Sequence, residues 1–145
     1  MGLQAFVDGV LQKQRAIKAE ETKQLTLGAL ISGLEAADPS LPIVLDTGEC
    51  PGKLDSWRGI YSELAMDFSA EGTSDVATVL ADALNALGSV FYGYKGGEFL
   101  MRDSTPVWLA HPGCWYYDDS GERMLTGVVI EPERVVITSA YGESY

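Results

Sequence analysis

The chain has 145 residues, 46% of them apolar and 21% charged, and its 10 basic against 21 acidic side chains give a formal net charge of −11. That length suits one domain burying roughly two thirds of its unfolded surface, and the composition is far from that of disordered chains, so no cofactor is needed to hold the fold. The charge argues against a non-specific grip on DNA or RNA, which needs a basic face to release counterions. A small phosphate-bearing ligand held by a few convergent basic groups stays open.

In chain order, Leu3, Phe6, Val7, Val10 and Leu11 recur at helical spacing and predict an amphipathic N-terminal helix over residues 1–24. A core domain over 25–145 follows. Thr26 precedes Leu27, Leu30, Ile31 and Leu34, the stripe of a short helix with a threonine N-cap, and Asp38 and Pro39 end it. The run "LPIVLDT" reads as a buried strand and "GECPGKLDS" as the loop after it. From Arg58 to Phe68, Ile60, Leu64, Met66 and Phe68 alternate with Tyr61, Glu63 and Asp67, the pattern of a strand with one buried face.

"TSDVATVLADALNALG" predicts the clearest helix. Thr73 or Ser74 is its cap and Asp75 lies in its first turn, with Val76, Val79, Leu80, Ala83, Leu84 and Leu87 on one side and Gly88 as the stop. "SVFYGY", "EFLM", "PVWLAH", "LTGVVI" and "RVVITSA" read as short strands, with "EPER" as a hairpin tip. The fold class expected is α+β: a single domain with a mostly antiparallel sheet and two or three helices packed on it. "HPGCWYYDDSGERM" stands out as an aromatic and acidic insertion.

The two cysteines, Cys50 and Cys114, lie 64 positions apart and show neither a disulfide framework nor a zinc signature, which favours a reducing setting. No apolar run approaches the about 18 residues of a membrane span, and "MGLQAFVDGVLQKQR" carries its charges in the wrong places for a secretory signal. These features place the expected site of action in the cytoplasm, without a membrane partner.

Two constellations carry candidate chemistry. In "FYGYKGGEF", Gly96 and Gly97 permit positive φ and can turn successive backbone N–H groups toward an anion, beside Lys95 and the stacking rings of Tyr92 and Tyr94. The same residues also make an ordinary hairpin turn with exposed tyrosines. In "DSWRGIYSEL", Arg58 stands beside Trp57 and Tyr61 and is the only basic residue between Lys53 and Lys95; its guanidinium suits a phosphate or a ring, or equally a neighbouring acid. Arg102 in "LMRDSTPVW" is a further cation that could reach the same region, whereas Trp108 reads as core. Catalytic and metal signatures are absent from the sequence: His111 and Cys114 lack a third orienting group, and no HExxH, DxDxDG or P-loop is present.

The ordered segments "LTLGALISGLEA", "PIVLD", "LDSWRGIYSELAMDF", "TVLADALNAL", "GYKGGEFLM" and "TPVWLA" resemble an uncharacterised family of small tailed-bacteriophage proteins with SYRGYY-, YKGG- and TPVW-type motifs. The resemblance covers roughly residues 25–111. It departs where Trp57 and Ile60 replace tyrosines, at the "CWYYDDSGERM" insertion and at the N-terminal helix. It implies a phage origin and expression in the host bacterial cytoplasm, and brings no known reaction. Small phage proteins without an enzyme signature commonly counter host defence. The function expected is therefore a non-catalytic homo-oligomer that sequesters a nucleotide-derived immune second messenger, a cyclic oligonucleotide or ADP-ribose derivative. Its ligand-binding residues would be Trp57, Arg58, Tyr61, Tyr92, Tyr94, Lys95, Gly96, Gly97 and Arg102. The alternatives are an acidic inhibitor that binds a host protein and a small hydrolase of nucleotide signals.

Overall fold

The computed structural model describes residues 24–57, 60–92, 97–110 and 123–141, the backbone alone at 60 and 61. Thr26 holds extended backbone, and its hydroxyl accepts from the Ala29 amide at 3.3 Å, capping α1 (Leu27–Glu35) as its sequence predicts. The first amides of a helix are orphan donors. Here Leu27 N–H reaches the Thr105 carbonyl at 2.8 Å and Gly28 N–H the Asp103 carbonyl at 2.7 Å. That docking needs glycine at 28, because a Cβ there would stand 2.9 Å from the Asp103 Cβ and 3.0 Å from its carbonyl oxygen.

After α1 come β1 (Pro42–Leu45), β2 (Cys50–Trp57), β3 (Ile60–Ser69), β4 (Ser74–Asp75) and α2 (Val76–Ala86). β5 (Val90–Tyr92), β6 (Glu98–Leu100), β7 (Val107–Leu109), β8 (Arg123–Ile130) and β9 (Val135–Tyr141) complete the described elements. Seven strands form one sheet in the order β2-β3-β7-β8-β9-β1-β4, and β5 and β6 pair separately. Only β3 with β7 and β1 with β9 run parallel; the other neighbours in the large sheet are antiparallel. The expected α+β class with a mostly antiparallel sheet holds, with two helices among the described residues. The expected N-terminal helix lies outside them.

β2 and β1 stand first and sixth in the sheet order. In a flat sheet five spacings of about 4.8 Å would separate them by about 24 Å. Residues 46–49 span at most about 17 Å even when extended, and they form a tight turn in which Gly48 N–H bonds the Leu45 carbonyl at 2.8 Å. The sheet must therefore curl, and both helices occupy the face it curls around. Leu27, Leu30, Leu34, Val76, Val79 and Ala83 meet Ile43, Leu45, Leu64, Met66, Val107, Leu125, Val135 and Ile137 in one core.

Three expectations are corrected. Residues 50–57 form β2 rather than a loop, since Cys50, Pro51 and Leu54 pair with Ser69, Phe68 and Met66 across a bulge. β3 is buried on both faces at Ser62, Glu63, Leu64, Ala65 and Met66, because it lies inside the sheet and Trp57 and Trp108 cover its outer side. α2 is capped by Asp75, whose carboxylate accepts from the Thr78 amide at 2.8 Å, rather than by Thr73 or Ser74. Its inner face is Val76, Val79, Ala83 and Ala86, and Leu84 and Leu87 are exposed; the helix ends at Ala86, so Leu87 no longer follows the helical period. Gly88, at φ +80°, stops it as expected. "EPER" is the expected tip between β8 and β9, closed by Glu131 N–H to the Arg134 carbonyl at 2.9 Å.

Candidate functional site

Trp57 pairs with Ile60, so β2 and β3 are joined through just two positions, Arg58 and Gly59. β3 then runs parallel to β7, with Leu64 opposite Val107. That register carries the start of β3 and the turn before β7 to the same end of the sheet. The turn is built by Thr105, whose amide bonds the Arg102 carbonyl at 3.1 Å while its hydroxyl accepts from the Arg102 amide at 2.8 Å. Thr105 is buried and Arg102 is exposed.

The β5–β6 hairpin reaches the same region, for β6 lies beside β3 and Leu100 leads directly into Met101 and Arg102. Phe91 and Phe99, opposite each other, anchor the hairpin on the main core. The next residue, Tyr92, therefore faces away, 73% exposed and opposite Glu98. Gly97 has φ +92°, the left-handed backbone predicted for the glycine pair. Of the expected ligand-binding residues, Tyr92 and Gly97 thus lie at one end of the hairpin, and Arg102 follows directly from its other end. Arg58, Tyr94, Lys95 and Gly96, and the Tyr61 side chain, lie outside the described residues, as do His111 and Cys114.

Trp57 takes a different position from the exposed stacking platform that its sequence context suggests. It is buried, and its ring centre lies 4.9 Å from that of Trp108 at an interplanar angle of 35°. Trp108 in turn donates its indole Nε1–H to Glu63 Oε1 at 2.7 Å, and Glu63 is only 3% exposed. At the end of β2 there is thus an aromatic pair with a buried carboxylate beside it. The solvent-facing ring in this region, among the described residues, is that of Tyr92.

Sequence reasoning missed Glu63, since alternation put it on the solvent side of β3. It also missed a cluster at the opposite end of the sheet. There Asp46 accepts from the Ser139 amide at 2.8 Å and hydroxyl at 2.7 Å, and Arg123 Nε donates to the same hydroxyl at 2.7 Å. The Arg123 guanidinium stands 3.7 Å from Asp46 Oδ1 and 4.8 Å from the centre of the Tyr141 ring. These groups consume one another's hydrogen-bonding capacity and read as a clasp between β1, β8 and β9. No sequence signal links them, because Asp46 and Ser139 are 93 positions apart.

Near that clasp, Val44, Asp46, Val129, Glu131, Arg134 and Val136 line an open groove of about 300 Å³. Its one arginine is already tied to Glu131 at 2.7 Å. Among the described residues no group of three or more His, Cys, Asp or Glu is placed to hold a metal ion, and no helix is long and apolar enough to cross a membrane. Comparison of the chain with protein-family models, curated proteins and solved structures found no match.

Proposed function

We propose that the protein binds a small nucleotide-derived signal, a cyclic oligonucleotide or an ADP-ribose derivative, and withholds it without cleaving it, as a phage anti-defence protein in the host bacterial cytoplasm. One observation supports this reading: β3, which begins just after Arg58 in the chain, starts at the same end of the sheet as the turn bearing Arg102, and β6, from the hairpin of Tyr92 and Gly97, lies beside β3. In sequence these segments are up to 44 positions apart.

In this reading Arg58, Arg102 and Lys95 neutralise phosphate, whose oxygens suit guanidinium and ammonium donors. Tyr92 and Tyr94 offer faces for a base, a contact worth about 1–3 kcal/mol where it forms. Amides beside Gly96 and Gly97 complete the anion site. The local cations answer the objection raised by a net charge of −11, since a phosphate within reach of them feels the near field above the average one.

Calorimetry against cyclic di- and trinucleotides and ADP-ribose derivatives tests the proposal. Affinity tighter than micromolar for at least one of them is expected, with Arg102→Ala and Tyr92→Ala each weakening it about tenfold or more. Denaturing the complex should return the ligand intact. Cleaved product would make the protein a hydrolase, and no binding across the panel would sink the proposal.

A further inference from the structure

Large apolar side chains left in solvent are unevenly distributed over the described residues. Of the eight, five, Leu84, Leu87, Val90, Tyr92 and Leu100, fall between residues 84 and 100. Leu84 lies in the last turn of α2 and Leu87 just beyond it. Gly88 N–H then bonds the Met101 carbonyl at 2.8 Å, so the β5–β6 ladder begins at once. Phe91 and Phe99 take the inner side of the hairpin, which leaves Val90 and Tyr92 on its outer side. Glu98, opposite Tyr92, stands exposed on that side too. A face that joins apolar surface to a carboxylate is suited by an occupant both apolar and basic.

The first 23 positions of the chain have both properties. Leu3, Phe6, Val7, Val10 and Leu11 supply an apolar stripe, and residues 9–19 carry Lys13, Arg15 and Lys18 with no acid. With 4 bases and 3 acids this segment is net +1, against −12 for residues 24–145 with 6 bases and 18 acids. It is thus drawn to the rest of its own chain, where a second copy would be repelled.

The segment is also tethered within reach. Its end is fixed by the Gln24 amide, which donates to the Val107 carbonyl at 3.2 Å, and by Leu25 N–H, which donates to the Leu125 carbonyl at 2.7 Å. The path from Gln24 to Gly28, across to Asp103, along to Met101 and across to Gly88 measures at most about 33 Å, at about 3.6 Å per residue and about 5.5 Å per hydrogen-bonded crossing. The chain from Gln24 back to Leu11 spans up to about 43 Å when extended. In helical form positions 11 to 3 lie about 20–32 Å from Gln24, the same range.

We propose that residues 1–23 fold back on their own chain and lay the stripe of Phe6 and Val10 on the face of Leu84, Leu87 and Val90, with the bases of 13–18 toward Glu98. This docking is independent of the ligand reading above and is measured without ligand.

Hydrogen exchange on the full chain tests it. The amides of residues 3–11 should exchange slowly, to the same degree in dilute solution and at about a hundredfold higher concentration. Leu84→Lys exchanges one good helix former for another at an exposed position and sets a base against bases, so it should speed that exchange about tenfold or more, the worth of one buried leucine. Phe6→Gln should do likewise, and the double variant should fall short of the product of the two effects, because both remove one contact. Ile130→Lys, on the other exposed apolar site, should leave the exchange unchanged. Fast exchange of 3–11 in the wild type overturns the proposal. So do effects of Leu84→Lys and Phe6→Gln that simply multiply, and so does exchange that responds to Ile130→Lys instead. Protection that grows with concentration also overturns it, since the segment would then be held by a second copy.

Discussion

Glu63 is a carboxylate at 3% exposure with a tryptophan indole as a donor. A charge in such a place is tolerated only while hydrogen bonds replace the water it has lost. Trp108→Phe keeps an aromatic ring against Trp57 but removes the donor at Glu63 Oε1, and it should cost about 2–3 kcal/mol in chemical denaturation. The same substitution in a Glu63→Gln background should cost less, since a neutral amide oxygen loses less when its donor goes. Equal costs in the two backgrounds would show that packing, and not the hydrogen bond, holds this site. The consequence is positional: the residues that fix Trp57 also fix the end of β2.

At the scale of elements, each helix is held by its first turn. α1 hands its orphan amides to the 102–105 turn, so the helix and the turn bearing Arg102 are set by the same bonds. α2 depends on Asp75, whose carboxyl is held below its usual range by hydrogen bonds from the Thr78 hydroxyl and amide. Asp38 is lowered likewise, by the amide and hydroxyl of Ser40 beyond the end of α1. A carboxyl whose folded value lies below its unfolded value, about 3.9 for Asp, stabilises the fold above that pH and loses the contribution as pH falls through the folded value. Stability should therefore drop on acidification below about pH 4. Asp75→Asn, which keeps an acceptor but no titrating group, should make that drop shallower. An unchanged slope in pH-dependent urea melts would remove Asp75 from the account.

At the scale of the whole molecule, charge works against compactness. Residues 24–145 carry 18 acids and 6 bases, the first 23 positions holding the other 3 acids and 4 bases. Self-repulsion of this kind is long-ranged, and salt screens it as the Debye length falls from about 30 Å at 0.01 M to about 8 Å at 0.15 M. The melting temperature at neutral pH should therefore rise by a few degrees over that range of sodium chloride. A fall would mean that attractive pairs such as Arg123 with Asp46 outweigh the repulsion.

Much of this organisation is written locally in the chain. A threonine before a leucine stripe, a glycine at positive φ after α2, Gly97 at positive φ before β6 and the "EPER" tip each act over a few residues, so the sequence by itself determined those helices, stops and turns, and the α+β class with them. What alternation could not tell was which strand has neighbours on both faces. β3 reads as half-buried because Glu63 interrupts its outer side, and only the sheet order, with Trp57 and Trp108 brought over it, makes that side interior. The site followed the same division. Sequence supplied the residue types suited to a phosphate and a base, from side-chain chemistry alone. That the start of β3 and the Arg102 turn share one end of the sheet was decided by the parallel register of β3 with β7, because pairing between strands tens of residues apart is a property of the packed core and not of any segment within it.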